Sequence, residues 1–198
     1  MDENKPQELE ETFNHITYLV GAMQSTAEKD DGSSKREYVY NELLLRSVYP
    51  IHPVKQESNK TGMNTNTLKD KMKGWKLSGN WELYREKSKE IWIGKYAILE
   101  NGQLVKILGD IDYVNMSTWI TFIYNKGDKP CGSFGECYGA VEHQIPIYII
   151  TDITKSELPD SLVQWVECTE GKVFENFSQY FDYIDKEYKL KRIENKKI

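Results

Sequence analysis

Glu136 is the side chain whose surroundings in the sequence best suit covalent chemistry. It ends the segment 132–136, which contains two glycines and follows the apolar run 119–124. Glycines let a backbone approach a ligand closely, and N–H groups in the first turn of a helix can hold an anion or a hydroxyl. A helix is predicted near 136–144, which places Glu136 in the first turn, where the helix dipole favours an ionised carboxylate. Such a carboxylate can attack an anomeric carbon and form a glycosyl-enzyme ester, whereas the alternative is that it only supports the helix terminus.

Asp110 and Asp112 form a second acidic group, directly after Gly109. Two close carboxylates differ in their affinity for a proton, so one can act as an acid while the other stays ionised. A member of this group that faces Glu136 would complete such a pair. The alternative is that Asp110 or Asp112 caps the short helix that is predicted to follow.

The segment 32–36 is a candidate phosphate site. Ser33, Ser34 and Arg36 stand at the start of a helix predicted over 35–47, so backbone N–H groups, two hydroxyls and a guanidinium fork come together. Ser133 could add another hydroxyl. The alternative is that Ser33 or Ser34 caps the helix and that the charges are solvated.

No metal site is predicted, and no partner class follows from the overall charge. The three cysteines (Cys131, Cys137 and Cys168) have no repeated spacing and the three histidines are scattered, so neither a disulfide framework nor a structural zinc site fits. The net charge of −5 gives no general attraction to nucleic acid, which is not expected as a partner. The stretch Lys55–Lys95 is nevertheless basic, with ten Lys or Arg against five Asp or Glu. It is either an ordinary solvated surface or a region that attracts anionic ligands.

The elements that would position these groups alternate between strands and helices. Short apolar, partly β-branched runs predict strands at 15–20, 48–53, 119–124 and 145–150. Besides the helices at 35–47 and 136–144, a helix is predicted at 174–188, and 162–166 fits a short strand or a helix. This alternation implies a mostly parallel sheet covered on both faces, with ligands beyond the carboxyl ends of its strands.

Residues 54–108 form an insertion in this pattern. Residues 54–80 are polar, contain three glycines and are predicted to be a long loop. A helix is predicted at 80–92, and Asn101-Gly102 between two apolar runs predicts a β-hairpin. Four aromatic residues of the insertion either stack on a base or pack in a core: Trp75, Trp81, Tyr84 and Trp92.

The predicted organisation is one α/β domain at 13–188, between a flexible leader at 1–12 and a basic tail at 189–198. No apolar run approaches the roughly 18 residues that a membrane helix needs. The acidic, polar start of the sequence lacks the basic and apolar regions of a secretory signal. A cytoplasmic protein with no membrane partner is therefore expected.

Several segments match, in order, the motifs of one known family. Residues 18–23 (Tyr-Leu-Val-Gly-Ala-Met) read as its first strand and glycine loop, and Asp110-Ile-Asp followed by Ser117 reads as its aspartate segment. Residues 132–140 (Gly-Ser-Phe-Gly-Glu-Cys-Tyr-Gly-Ala) read as its glycine-rich loop and nucleophile helix. In these motifs the chain resembles the nucleoside 2-deoxyribosyltransferase family, including its nucleotide N-hydrolase relatives. The resemblance covers residues 15–53 and 109–152.

The resemblance implies a flavodoxin-like three-layer sandwich that works as a homo-oligomer, with an inserted helix and β-hairpin in this chain. It implies that Glu136 attacks the anomeric carbon, that Asp110 contacts or protonates the leaving base, and that Tyr18 orients the nucleophile or touches the sugar. The substrate would be a small nucleoside or nucleoside 5′-monophosphate, cleaved by base exchange or hydrolysis without a cofactor. Six further residues are assigned to substrate binding: Gly21, Met23, Asp112, Gly132, Ser133 and Gly135.

Two functions of other classes stay open. A nucleotide sensor on the same fold would keep the glycine segments and would not need Glu136 to react. A protein that holds single-stranded nucleic acid would use the basic, Trp-rich insertion for stacking and charge, although the acidic total disfavours it.

Overall fold

The computed structural model describes residues 13–21, 33–128 and 131–193. Contacts between residues divide the chain into two compact units. The first unit takes in the chain up to residue 51 and from residue 115 onward, and the second spans His52–Val114. The whole of the predicted insertion thus falls in the second unit.

The elements are numbered in chain order. The strands are β1 (His15–Gly21), β2 (Val48–Ile51), β3 (Gly94–Ile98), β4 (Leu104–Leu108), β5 (Trp119–Tyr124), β6 (Ile147–Thr151) and β7 (Lys172–Phe174). The described helices are α1 (Ser33–Leu44), α2 (Pro53–Thr61), α3 (Thr65–Ser78), α4 (Trp81–Trp92), α5 (Asp110–Asn115), α6 (Cys131–Glu142), α7 (Asp160–Cys168) and α8 (Phe177–Glu187). Within the described ranges, none of these helices combines the length and the apolar character that crossing a membrane requires.

The first unit is built on a five-stranded sheet in the order β2-β1-β5-β6-β7, and every neighbouring pair in it is parallel. Counting only the strands of this sheet, the order is 2-1-3-4-5, the flavodoxin-like arrangement. Strands β5 and β6 are buried along their whole length, which is expected where helices cover both faces of a sheet. The predicted fold class, a flavodoxin-like α/β sandwich, is confirmed.

The two faces of the sheet are covered by different helices. Helices α1 and α8 pack on one face, and α6 and α7 pack on the other, which makes three layers. The core of the α1/α8 face joins Leu19, Trp119 and Tyr148 of the strands to Leu43 and Phe181 of the helices. Each such side chain, when fully buried, stabilises the fold by roughly 1.5–3 kcal/mol. Because side chains alternate along a strand, the residues between them, such as Tyr18, point to the α6/α7 face.

The end of the first unit differs in detail from the prediction. Residues 162–166, which fitted a strand or a helix, lie in α7. The strand β7 was not predicted because three residues are too few to show a period, and the last helix begins after it, at Phe177. The Asn176 side chain fixes that start, because it accepts the backbone N–H of Gln179 at 3.0 Å.

The second unit contains α2, α3, α4 and the antiparallel hairpin of β3 and β4. The hairpin is confirmed, with Gly102 at φ +80 in its turn. The prediction that 54–80 is a loop is wrong, since α2 and α3 occupy most of it. Both helices end at common capping residues. Asn64 accepts the Thr67 N–H at 2.9 Å at the start of α3. Gly62 follows α2 at φ +69, and Gly79 follows α3 at φ +72. Apolar periodicity missed α2 because its inward face is largely polar.

A cluster of charges ties α1 to α8 and to the chain beyond it. The Glu42 carboxylate accepts hydrogen bonds from Arg192 at 3.0 Å and from Arg46 at 2.7 Å, and Arg46 also pairs with Asp185 at 2.8 Å. The hydrogen bonds from Arg192, followed by those from Arg46, lower the pKa of Glu42 to about 2 against the opposing effect of burial. The start of the predicted basic tail is therefore held by an ion pair.

This depressed pKa predicts a defined acid sensitivity. A carboxyl group whose pKa falls on folding stabilises the folded state above its unfolded pKa and loses that contribution as the pH drops towards the folded value. Between pH 6 and pH 3 the loss from Glu42 should be about 2 kcal/mol, and Glu42→Gln should lose correspondingly less than the wild type over the same range. Urea unfolding at the two pH values measures this difference, and equal losses in both proteins would contradict it.

Candidate active site

Tyr18 and Glu136, which are 118 residues apart, meet in the interior of the first unit. The Tyr18 hydroxyl donates a hydrogen bond to Glu136 Oε1 at 3.1 Å. Tyr18 is fully buried in β1, and only 6% of Glu136 is exposed. The fold therefore joins two of the residues to which the sequence assigned a role, and it holds the carboxylate in one orientation.

The pair lies where the topology of the sheet changes direction. The chain passes from β1 to α1 on one face and from β5 to α6 on the other, so the connections diverge between the neighbouring strands β1 and β5. Open α/β sheets bind their ligands in the crevice beside this kind of divergence. Tyr18 comes from β1 and Glu136 from the helix after β5, so both come from elements that flank this position.

Helix α6 presents Glu136 inward through its spacing. The buried residues Ser133, Glu136, Cys137 and Ala140 recur at intervals of three and four, whereas Gly132 and Gly135 face solvent. The helix begins at Cys131, so the prediction that it starts near Glu136 is wrong. Packing of this inward stripe outweighs the low helix propensity of the glycines.

This earlier start changes the electrostatic argument. Glu136 is the sixth residue of α6 and lies in the second turn, not in the first turn with its unpaired N–H groups. The dipole effect fades beyond the first turn, so it contributes less to ionisation of Glu136 than the sequence suggested. Gly132 and Gly135, predicted as part of a loop, are helical positions.

The neighbouring thiol is not a competing nucleophile. Cys137 is completely buried in α6. Burial, and next the negative charge of Glu136, raise the pKa of the Cys137 thiol well above its usual range. The thiol therefore stays protonated at neutral pH, and thiolate is the form that attacks electrophiles.

Gly21, at the end of β1, lies against Arg36 of α1. A Cβ atom at Gly21 would be 2.9 Å from Arg36 Nη1 and 3.5 Å from the carbonyl oxygen of Ile123. Only 2% of Arg36 is exposed. The small residue at the end of β1 thus makes room for a buried guanidinium at the carboxyl edge of the sheet.

The structure describes Ser33 and Ser34 of the candidate phosphate segment but not Met23 of the glycine segment. Ser33 begins α1, and Ser34 follows it as an exposed residue. Met23 lies outside the described residues. Next to this segment, the Lys35 ammonium donates to the Asn125 side chain, which connects the start of α1 to the loop after β5. The phosphate assignment of Ser33, Ser34 and Arg36 stays a prediction.

Asp110 and Asp112 belong to the second unit, where both have structural partners. The buried Asp110 carboxylate accepts a hydrogen bond from Lys60 at 2.5 Å, and Lys60 is only 1% exposed. Asp112 accepts the Gly109 backbone N–H at 3.0 Å and the Lys106 ammonium at 2.5 Å, so it ties α5 to β4. Lys60 was missed in the sequence because its helix had been predicted as a loop.

Among the described residues, no three His, Cys, Asp or Glu side chains lie close enough together to hold a metal ion. The described arrangement is a buried tyrosine–carboxylate pair in the first unit and a buried lysine–aspartate pair in the second. In comparisons with known proteins, no family model matches the chain, and no curated protein is significantly similar to it.

Proposed function

We propose that the protein cleaves the N-glycosidic bond of a small nucleoside or nucleoside 5′-monophosphate, with Glu136 as the nucleophile. The observation that carries the proposal is the buried hydrogen bond of 3.1 Å from the Tyr18 hydroxyl to Glu136 Oε1. The hydroxyl fixes one oxygen of an enclosed carboxylate and so restricts the orientation of the whole group. This geometry suits attack on one carbon atom of a bound substrate.

The proposed reaction has two steps. In the first, a Glu136 oxygen forms a bond to C1′ while the bond from C1′ to the base nitrogen breaks, and the base keeps the electron pair and takes up a proton. In the second, the oxygen of water or the nitrogen of another base attacks C1′ and releases the carboxylate. Water gives hydrolysis and a second base gives base exchange. Because each step inverts C1′, the product keeps the configuration of the substrate.

Tyr18 acts as a positioning residue in this proposal. Its hydroxyl donates to the carboxylate and so limits rotation of the Glu136 side chain. A hydrogen bond to a charged acceptor is worth about 1.5–3 kcal/mol, which is enough to select one orientation. As the ester forms, negative charge leaves the carboxylate, and the hydroxyl keeps the carbonyl oxygen in place.

The buried Arg36 favours an anionic substrate. Its guanidinium lies against Gly21 at the end of β1, with 2% exposure. A positive charge near the carboxyl edge of the sheet attracts a phosphate more strongly than it attracts a neutral nucleoside. Within the proposal, monophosphates are therefore the better substrates.

The proposal is tested with a panel of deoxynucleosides and their 5′-monophosphates, each incubated with and without a second free base. Chromatography follows free base and new nucleoside. Free base from monophosphates in the absence of an acceptor identifies a hydrolase, and a new nucleoside that needs the acceptor identifies a transferase. Binding of these compounds without any turnover would overturn the proposal and favour the nucleotide sensor.

Tyr18→Phe is expected to lower kcat on the best substrate of that panel on the order of 10–100-fold, with a smaller change in KM, because it removes only the orienting hydroxyl. The matched control is Tyr180→Phe. The Tyr180 hydroxyl is also buried and hydrogen-bonded, to Thr121 at 2.7 Å, but it lies on the α1/α8 face. This control should reduce stability and leave kcat unchanged. An unchanged kcat in Tyr18→Phe would remove the positioning role.

A further inference from the structure

The hairpin of β3 and β4, in the second unit, presents apolar side chains to solvent. Residues directly opposite each other in an antiparallel pair share a face, and Ile98 is opposite Leu104 while Tyr96 is opposite Lys106. The exposed fractions of Tyr96, Ile98 and Leu104 are 69%, 74% and 63%. Together these three side chains form the apolar face of the hairpin. The solvated face of an antiparallel sheet is ordinarily polar, so this cluster departs from the usual alternation.

The other face of the hairpin is the one that packs within the chain. Ala97, Val105 and Ile107 alternate with the exposed residues and are partly buried. Within the second unit, β3 lies against α4 and β4 lies against α2. A two-stranded hairpin needs such support to be stable, and here helices supply it. The apolar face is therefore left for a contact with another molecule.

The area of the apolar face suits an interface between two copies of the chain. At these exposed fractions, one tyrosine and two aliphatic side chains present roughly 400 Å² of surface, which is the size of the largest patch on many monomers. Two such faces would bury about 800 Å² between them, and the side chains around them bring the total to the roughly 1,000 Å² at which specific interfaces begin. An interface near this limit is expected to dissociate in the micromolar range.

Charges at the two ends of the hairpin make the face complementary to itself. Lys106 lies next to the apolar residues on one side, and Glu100 is exposed in the turn at the other. If two hairpins stack antiparallel, Glu100 of each copy approaches Lys106 of the other, whereas parallel stacking brings like charges together. Lys106 already donates to Asp112 at 2.5 Å, but an ammonium has three donors and can serve both carboxylates.

We propose that the apolar face binds the same face of a second copy of the chain, with the two hairpins stacked antiparallel about a two-fold axis. In such an isologous contact the axis crosses the strands, so β3 lies on β3 of the other copy and Ile98 meets Ile98. Sheets stacked in this way lie about 10 Å apart, and side chains from the two faces interdigitate. The inference goes beyond the proposed function, because it requires neither Glu136 nor a substrate.

The test is analytical ultracentrifugation of the full-length chain over a concentration series up to about 100 µM, above the micromolar Kd that an interface of this area predicts. The wild type is expected to form a dimer. Ile98→Glu is expected to weaken association at least about 10-fold, because it places two carboxylates next to each other at the axis. Since Ile98 is exposed in the single chain, the variant should fold, which circular dichroism checks. A wild type that stays monomeric, or wild-type association in Ile98→Glu, would overturn the inference.

A mixture of two variants shows whether the face meets itself. Ile98→Lys alone should also associate poorly, since two ammonium groups then meet at the axis. An equimolar mixture of Ile98→Glu and Ile98→Lys should recover association, because opposite charges face each other in the mixed dimer. The matched control is Leu77→Glu, which puts the same charge at a 78% exposed apolar position of α3 outside the hairpin. The control should associate as the wild type does. No recovery in the mixture, or equal weakening by the control, would contradict the inference.

Glu100→Gln tests the antiparallel arrangement. It removes the carboxylate that approaches Lys106 of the other copy, so association should weaken about 2–10-fold through the loss of two exposed ion pairs. The difference from the wild type should shrink at high salt, which screens such pairs. In a parallel arrangement the same change would relieve a repulsion and tighten association. Unchanged or tighter association in Glu100→Gln would therefore overturn the arrangement, and with it the choice of a second copy as the partner.

Discussion

Glu136→Gln is expected to reduce release of base from the best nucleoside or monophosphate substrate by at least about 10⁴-fold, with the fold intact. The amide has the shape of the carboxylate and can still accept the Tyr18 hydroxyl, so the local packing survives. It lacks the negative charge that forms the ester bond to C1′, and the reaction then loses its covalent route. Single-turnover rates, together with urea unfolding of the variant, measure the two effects separately.

A second experiment distinguishes a nucleophile from a carboxylate that only organises the site. Glu136→Ala opens a space where a small anion can take the place of the missing oxygen. With azide present, the nucleophile assignment predicts partial recovery of base release and a glycosyl azide of inverted configuration, since only one displacement then occurs at C1′. The control on the same helix is Glu142→Gln, because Glu142 is exposed at the end of α6. Unreduced base release in Glu136→Gln would remove the assignment altogether.

The main sheet could be predicted from the sequence because its signals are local. The strand 119–124 is apolar throughout and is buried throughout, as β5. The hairpin rests on Asn101-Gly102, where Gly102 adopts the positive φ that the turn requires. Strand β7 has only three residues and depends on pairing with β6, which no local pattern reports.

Helix α2 shows where such prediction stops. A helix is recognised by an apolar stripe, and the inward stripe of α2 contains Glu57 and Lys60. The partner that makes this burial tolerable, Asp110, is 50 residues further along the chain. The helix was therefore concealed by a stabilising contact that no local sequence pattern reports.

The candidate site was predictable to the extent that its residues lie beside recognisable elements. Tyr18 in β1 and Glu136 after β5 follow from strand order, because adjacent parallel strands bring their flanking segments together. The start of α6 could not be predicted, because Gly132 and Gly135 lower the helix propensity of the segment. The tertiary packing of Glu136 and its inward neighbours compensates for this, and no local pattern reports it. The helix start was thus wrong by about one turn, and the assignment of Glu136 as nucleophile stays a prediction.

Among the variants proposed for this protein, Lys60→Met should lower the free energy of unfolding most, because it removes the ammonium that pairs with the buried Asp110 carboxylate. Asp110 is 4% exposed and its ion pair with Lys60 spans 2.5 Å, so water cannot take over the role of the ammonium without a rearrangement of the second unit. Removing one member of a buried pair costs about 3–5 kcal/mol. Urea unfolding should report this loss, and hydrogen exchange should show it within 52–114.

The double variant Lys60→Met with Asp110→Leu separates the cost of keeping the Asp110 carboxylate buried without the Lys60 ammonium from the stabilisation that the pair itself provides. Replacing both charged groups with apolar ones is often neutral, so the double variant should recover most of the stability that the single variant loses. The matched control is Lys106→Met, which breaks the more exposed pair with Asp112, where Lys106 is 37% exposed. It should cost at most about 1 kcal/mol, as solvent-exposed pairs do. If Lys60→Met were no more costly than this control, the Lys60–Asp110 pair would not be what holds the inward face of α2, and the buried charges there would need another partner.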